Sequence, residues 1–343
     1  MKTKLQDFDF SLPDELIALS PPERRDHCRL LILDKDSGQL EERRFFEILD
    51  ELKSGDVLVL NDIKVDKARV PATRANGSTR EVLLIGTTDQ SRWLAMTTQT
   101  KRLKIGEILK FSPDLEATLS EKREDGKLIL TFNRSVTHED LEKLGKLPLP
   151  PYIQSKRPYL PQDDEDYQTV YARHQGAKAA PTAGLHFTPE LLLQCEEKGV
   201  RVVYLQLYVS LGTFEPIKTE FIEDHKMHQE RFHIPLETAQ IINQALKEQR
   251  RIIAVGTTVV RSLESAFDGQ EIRSGEGETD IFIYPGYQFK TIRGLITNFH
   301  TPGSSLLLLV SALAGREKLL NAYRHAIREK FHFFSYGDAM LIK

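Results

Sequence analysis

The sequence predicts an α/β protein in which a discontinuous α/β domain carries a small antiparallel β-barrel. Helical and strand-like segments alternate up to about residue 65 and again from about residue 167 onward. From about residue 67 to 133 the texture changes to short alternating runs separated by turn dipeptides, with no helical period between them. With 343 residues, 40% of them hydrophobic and 28% charged, the chain is long enough to bury a sizeable core, and disorder is excluded as its main state. The expected domains are residues 1–65 with 151–343, an α/β catalytic domain, and residues 66–150, the inserted barrel.

In order, a short helical pattern follows Pro13, Arg29–Asp34 reads as a strand, Phe45–Leu52 as an amphipathic segment, and Val57–Asn61 as an apolar strand. Six runs form the expected barrel: Ala68–Arg74, Glu81–Ile85, Trp93–Thr97, Gly106–Phe111, Leu115–Ser120 and Lys127–Phe132, with turns at Asn76–Gly77 and Asp125–Gly126. Thr137 caps a short helix that Gly145 ends, and the proline-dense residues 147–152 read as a stiff linker. Thr188–Pro189 then opens a helix ended by Gly199, and strand Val200–Val209 follows. Further on come helix Leu236–Gln249, strand Arg251–Val255, helix Val259–Phe267, strands Ile281–Tyr284 and Gly294–Thr297, and helices Ser304–Ala314 and Glu317–Lys330.

Composition narrows the function. Forty-seven basic residues against 50 acidic give a net charge of −3, so any nucleic acid must be held by a local patch. The clusters available are Arg24–Arg25, Arg43–Arg44, Lys64 with Lys67 and Arg69, and Lys101–Arg102 with Lys104. Cys28 and Cys195 stand far apart without a CxxC, which excludes a disulfide framework or a zinc ribbon and fits a reducing cytosol. The N-terminal residues lack the apolar stretch of a signal peptide, and the apolar run from Leu306 to Ala314 is about half the length of a membrane span. A soluble, cytoplasmic protein without membrane contact is expected. His225, His228 and Glu230 lie close together, but the HxxH spacing without a third ligand and without an HExxH frame is a poor zinc signature, so no metal is expected. The GEG at 275–277 precedes a strand instead of opening a helix and is not a dinucleotide loop.

Three bends carry chemistry. In GAKAAPTAGLHFT (176–188) small residues let backbone approach a ligand, and Thr182, His186 and Thr188 are the side chains able to hydrogen-bond or move protons. The alternative is a tight turn with His186 bonded to a backbone carbonyl. In GTTVVRSLE (256–264), Gly256, Thr257 and Thr258 lie between a strand and a helix, where free N–H groups bind carboxylates or phosphates. Arg261 and Glu264, three apart, suit either a ligand or a surface ion pair. In TNFHTPGSS (297–305), Asn298 and His300 are not needed for a turn, whereas Ser304 and Ser305 suit helix capping. Asp338 near the chain end follows Phe331, Phe333 and Phe334, which read as a core strand with a polar turn or as an aromatic wall.

Longer segments resemble a known family. RLLILD (29–34), GDVLVLND (55–62), PLPPYI (148–153), YQTVYA (167–172), AAPTAGLHFT (179–188), AVGTTVVRSLES (254–265), IFIYPGYQF (281–289), TNFH (297–300), LVSALAG (309–315) and FFSYGDAML (333–341) resemble, in order, the S-adenosylmethionine:tRNA ribosyltransferase-isomerase family of queuosine biosynthesis. The resemblance implies transfer and isomerisation of the ribosyl part of S-adenosylmethionine onto 7-aminomethyl-7-deazaguanine at the wobble position of a tRNA anticodon. The products would be epoxyqueuosine-tRNA, adenine and methionine. It implies a similar fold, S-adenosylmethionine as a consumed co-substrate, and no other cofactor; a monomer or weak homo-oligomer is expected. On that footing His186, His300 and Asp338 are the expected proton carriers. Gly256, Thr257, Thr258 and Arg261 are expected at the methionine carboxylate, Phe187 or Phe299 at adenine or the sulfonium, and Thr182, Glu264 and Asn298 among the binding groups. The family pattern reads LHVGxGTF where this chain reads LYVSLGTF, so Tyr208 replaces a histidine and Ser210 a glycine. A tyrosine does not titrate near neutrality, so Tyr208 is expected to orient substrate. The alternatives are a non-catalytic tRNA-binding relative and another S-adenosylmethionine-dependent RNA-modifying enzyme.

Overall fold

A computed structural model describes residues 2–87, 89, 91–209 and 216–343. Ser210 therefore lies outside the described residues, as does the start of the glycine-bearing segment after Tyr208. The chain divides into two compact units, one of residues 1–64, 150–159 and 165–343, the other of residues 65–149 and 160–164.

The larger unit is built on a mixed sheet whose described strands run Gly275–Thr279, Glu230–Ile234, Arg201–Leu207, Val57–Asn61, Ile252–Val255, Gly294–Asn298, Ala339–Ile342, Arg29–Leu33 and Leu40–Arg44. The four strands from Arg201–Leu207 to Gly294–Asn298 are mutually parallel, and strand Ala339–Ile342 runs antiparallel to the last of them. Side chains alternate between two cores. Leu31, Leu33, Val57, Val59, Ala254 and Leu295 face helices Leu236–Lys247, Thr257–Ala266, Ser305–Ala314 and Arg316–Arg328. Leu30, Ile32, Leu58, Leu60, Val255 and Ile296 face Phe45, Phe187, Leu191 and Cys195 on the other side. Burial on both faces is why these strands read as unbroken apolar runs in the sequence.

The smaller unit is a closed antiparallel barrel of strands Leu128–Phe132, Arg92–Thr97, Thr79–Thr87, Arg69–Arg74, Ile108–Lys110 and Glu116–Lys122. Its interior is filled by inward residues such as Val70, Val82, Leu84, Leu109, Leu119 and Leu130. Helix His138–Leu144 starts at Thr137, whose hydroxyl accepts from the Asp140 N–H while Asp140 reaches back to the Thr137 N–H.

The α/β class and the six-stranded barrel agree with the expectation; several elements do not. Ile281–Tyr284 is irregular, and the strand lies earlier, at Gly275–Thr279, paired with Glu230–Ile234. The segment after Pro13 is a single 3₁₀ turn, Asp14–Leu16, and Phe45–Leu52 contains only a 3₁₀ turn and the short helix Ile48–Glu51. The proline-dense linker ends in a helix, Pro151–Lys156, because proline at a first helical position costs no hydrogen bond.

Candidate functional site

The carboxyl ends of parallel strands are where α/β sheets bind ligands, because the backbone diverges there and helix starts point their N–H groups outward. The larger unit has a cleft of about 1080 Å³, its open mouth included, at the ends of strands Ile252–Val255 and Gly294–Asn298. Ala180–Ala183, Gly256–Thr258 and Thr297–Thr301 all border it, with Pro151, Tyr152, Val209, Ser304, Leu306, Phe334 and Ser335. The three polar bends, distant in sequence, thus share one crevice.

Gly256 turns the chain from strand to helix at φ 91°, a conformation that favours glycine. Helix Thr257–Ala266 begins there with no side chain capping it. The Thr258 hydroxyl, buried at the cleft, has no hydrogen-bond partner among the described residues. The neighbouring helix Ser305–Ala314 is finished internally, since the Ser304 hydroxyl accepts from the Leu307 N–H at 3.2 Å.

Thr182 donates its hydroxyl to Asn298 Oδ1 at 3.1 Å, and Asn298 Nδ2 donates to His186 Nε2 at 3.0 Å. An amide nitrogen only donates, so Nε2 is unprotonated and Nδ1 carries the proton, facing Cys28 Sγ at 3.2 Å. Burial, with the Arg25 charge adding to it, pushes the His186 pKa down to about 3, and burial raises the Cys28 thiol well above its usual value. His186, expected as the base or acid that moves protons, is therefore a neutral imidazole behind Asn298 and is not among the residues that border the cleft.

His300 does border the cleft. Its Nε2 meets the Thr297 hydroxyl at 2.8 Å, its backbone N–H donates to the Tyr323 hydroxyl at 2.9 Å, and burial pushes its pKa down to about 3. A neutral imidazole accepts a proton and does not repel a cationic ligand.

Other expected site residues serve the scaffold. Arg261 is buried against Glu230, with Thr279 and Ile281 carbonyls nearby, and Glu264 accepts from the Tyr287 hydroxyl, the Lys290 and Thr291 N–H groups and the Thr291 hydroxyl. Neither borders the cleft, and they do not pair with each other; tertiary partners override helical spacing. Asp338 accepts from the Arg29 and His332 N–H groups, both at 2.7 Å, and burial raises its pKa. Phe187 is enclosed against Phe45. Phe299 borders the cleft, but its ring is enclosed by Tyr323, Phe331 and Phe333. Tyr208 lines a separate surface hollow with Arg231, Glu276, Gly277 and Glu278, its ring 5.3 Å from the Arg231 guanidinium. Sequence reasoning missed Pro151, Tyr152 and Leu306, which border the cleft. The proline-rich composition concealed the first two.

Of the basic clusters, Lys67 is held by Asp164 at 2.7 Å and Glu142 at 3.5 Å, and Arg69 pairs with Glu81 at 3.1 Å. Lys101, Arg102 and Lys104 are exposed on the barrel. Among the described residues no group of three or more His, Cys, Asp or Glu could hold a metal ion, and no helix is long and apolar enough to cross a membrane.

A family model described as "Queuosine biosynthesis protein" matches residues 5–342. The chain belongs to the queuosine biosynthesis protein family. Members similar to it include the S-adenosylmethionine:tRNA ribosyltransferase-isomerases of Treponema denticola, 51% identical over 98% of this chain and 99% of the relative, and of Carboxydothermus hydrogenoformans, 48% identical over 99% of each. Among solved structures, the S-adenosylmethionine tRNA ribosyltransferase of Thermotoga maritima is similar, with 35% identity, a TM-score of 0.57, and coverage of 98% of this chain and all of that one. In this family member, then, Gly256–Thr258, Thr182, Asn298 and His300 are the sequence-predicted polar positions that meet at the cleft.

Proposed function

We propose that this protein is a tRNA-modifying enzyme that transfers and isomerises the ribosyl moiety of S-adenosylmethionine onto 7-aminomethyl-7-deazaguanine at the wobble position of tRNA. Epoxyqueuosine-tRNA forms, and adenine and methionine leave. The observation that carries this reading is the family match over almost the whole chain, joined to a cleft whose polar groups suit that donor. A methionine carboxylate fits the uncapped helix start: the N–H groups of its first turn and the unpartnered Thr258 hydroxyl supply donors, and the helix dipole favours negative charge. Arg261, engaged with Glu230, is not required there.

A sulfonium acidifies the adjacent 5′ carbon. His300, the histidine that borders the cleft, is assigned the removal of that proton, giving an ylide. The ylide electron pair forms a double bond to C4′ as the C4′–O4′ bond breaks, O4′ becomes the C1′ carbonyl oxygen, and adenine departs from C1′, taking up a proton. The aminomethyl nitrogen of the tRNA base then adds to C4′, the alkene carbon β to sulfur, and gives up its own proton; the ylide carbon so regenerated adds to the C1′ carbonyl, closing the carbon ring and leaving an alkoxide. Closure of a ribose oxygen onto the carbon bearing sulfur forms the epoxide and expels methionine as a neutral thioether. Thr182 and Asn298 orient the donor by hydrogen bonding. His186 holds the Asn298 amide in one orientation by accepting from its nitrogen.

Purified protein incubated with S-adenosylmethionine and tRNA bearing 7-aminomethyl-7-deazaguanine tests the reading. Free adenine, free methionine and an epoxyqueuosine nucleoside after digestion are expected. Release of S-adenosylhomocysteine instead would establish methyl transfer, and tRNA binding without any product would establish a non-catalytic relative.

A further inference from the structure

Among the described residues, four other than glycine have positive φ: Gln99, Gln249, Lys330 and Phe334. Gln249 and Lys330 follow the ends of helices Leu236–Lys247 and Arg316–Arg328, where a left-handed residue closes the last turn, and Gln99 precedes a 3₁₀ turn. Phe334, at φ 74°, has no such excuse. It is aromatic, it ends no helix, and it borders the cleft. A bulky residue held in the left-handed region is strained, and such strain persists only where the surroundings enforce it.

The surroundings of Phe334 do enforce it. Its N–H donates to the Phe299 carbonyl at 3.0 Å, and its own carbonyl accepts from the Gly337 N–H at 3.1 Å. The adjacent Ser335 N–H donates to the Tyr152 hydroxyl at 2.9 Å. Gly337 admits no side chain, because a Cβ there would lie 2.5 Å from the His332 carbonyl oxygen. Asp338 holds the base of the turn through its two backbone hydrogen bonds. The Tyr152 and Phe334 rings meet edge to face, 5.0 Å apart at 65°, and both residues border the cleft.

We propose that residues 333–338 form a strained clamp that presents Phe334, with Tyr152 beside it, as the stacking wall for a fused purine-type ring, and that Asp338 is a positioning residue of this clamp. The inference rests on the functional reading above and deepens it. Two rings of this chemistry enter the reaction, the adenine of the donor and the 7-deazaguanine of the tRNA. Either would stack on an aromatic face, and measurement distinguishes them.

The test compares wild-type enzyme with Phe334→Leu, which removes the ring and keeps the strained backbone, and with Phe334→Gly, which removes both. Two readouts separate the ligands: the Kd for S-adenosylmethionine by calorimetry, and the KM for substrate tRNA in adenine release. Stacking on an aromatic side chain sets the expected loss at roughly 5- to 100-fold in one of the two constants, the same constant in both variants. Tyr152→Phe, which keeps a ring but frees the Ser335 N–H, is expected to weaken that same constant by a smaller factor. Thermal unfolding supplies the control. Because glycine relieves the backbone, Phe334→Gly unfolds at or above the temperature of Phe334→Leu while binding no better. Binding losses that simply follow loss of stability overturn the inference. So do unchanged constants in variants of an active wild type, and in that case the functional reading stands. Wild-type protein that neither binds S-adenosylmethionine nor releases adenine overturns the reading and this inference together.

Discussion

Two helices start side by side at the candidate cleft, and they are finished differently. Helix Ser305–Ala314 has a serine cap bonded to its first turn. Helix Thr257–Ala266 has a glycine where a cap would stand and a buried threonine hydroxyl with no partner among the described residues. Both sit at the ends of adjacent parallel strands with both faces buried, so packing does not separate them. The difference lies in who satisfies the first-turn N–H groups. At residue 304 the chain does so itself, and that start contributes stability. At residue 256 no described side chain does so, which costs the fold some stability and is the arrangement the proposed carboxylate site requires.

The largest expected break in this contrast is at His300, which borders the same cleft as the two starts. His300→Ala removes the proposed base, and the rate of adenine release should fall by about 10²-fold or more. Retention of full kcat would remove His300 from the chemistry. Next comes acid sensitivity from His186. Its folded pKa of about 3 lies below the ordinary histidine value, so the unfolded chain binds the extra proton. The stabilisation is whole above about pH 6.5 and is lost as pH falls from there toward the folded pKa. Between pH 7 and 5 the loss from this one residue is about 2 kcal/mol. Urea unfolding at both values should show it, and His186→Gln should reduce the dependence by that amount, leaving the similar share of His300.

The contrast itself is tested most directly by paired cap variants. Thr258→Val removes an unpartnered hydroxyl at nearly constant shape. The KM for S-adenosylmethionine should rise about tenfold with stability unchanged or slightly higher. Ser304→Ala should act in the opposite sense and lower stability by about 1 kcal/mol, read as a shift in the urea midpoint. Loss of stability in Thr258→Val would mean that its hydroxyl serves the fold after all.

Much of the frame was legible before any coordinates. Runs such as RLLIL and VLVLN are apolar at every position because both sheet faces are covered, and short alternating runs between Asn-Gly and Asp-Gly turns give a closed barrel. The edge strand Gly275–Thr279 was not legible. Its residues, GEGET, carry no apolar pattern, and backbone pairing to Glu230–Ile234 alone defines it. Arg261 and Glu264 misled for a related reason. Their spacing describes an isolated helix, whereas buried charges take whichever partner the fold brings, here Glu230 and the 287–291 segment.

Local rules act over a few residues, so the amino-acid order alone determined the fold class, the strand-to-helix bends and the small and polar residues in them. Which bends share a cleft, which histidine stands at its surface and which behind it, and the recruitment of Tyr152 and Phe334 were decided by packing between segments far apart in the chain. Proton position, exposure and backbone strain are properties of the surroundings of a residue, and those surroundings exist only in the assembled fold.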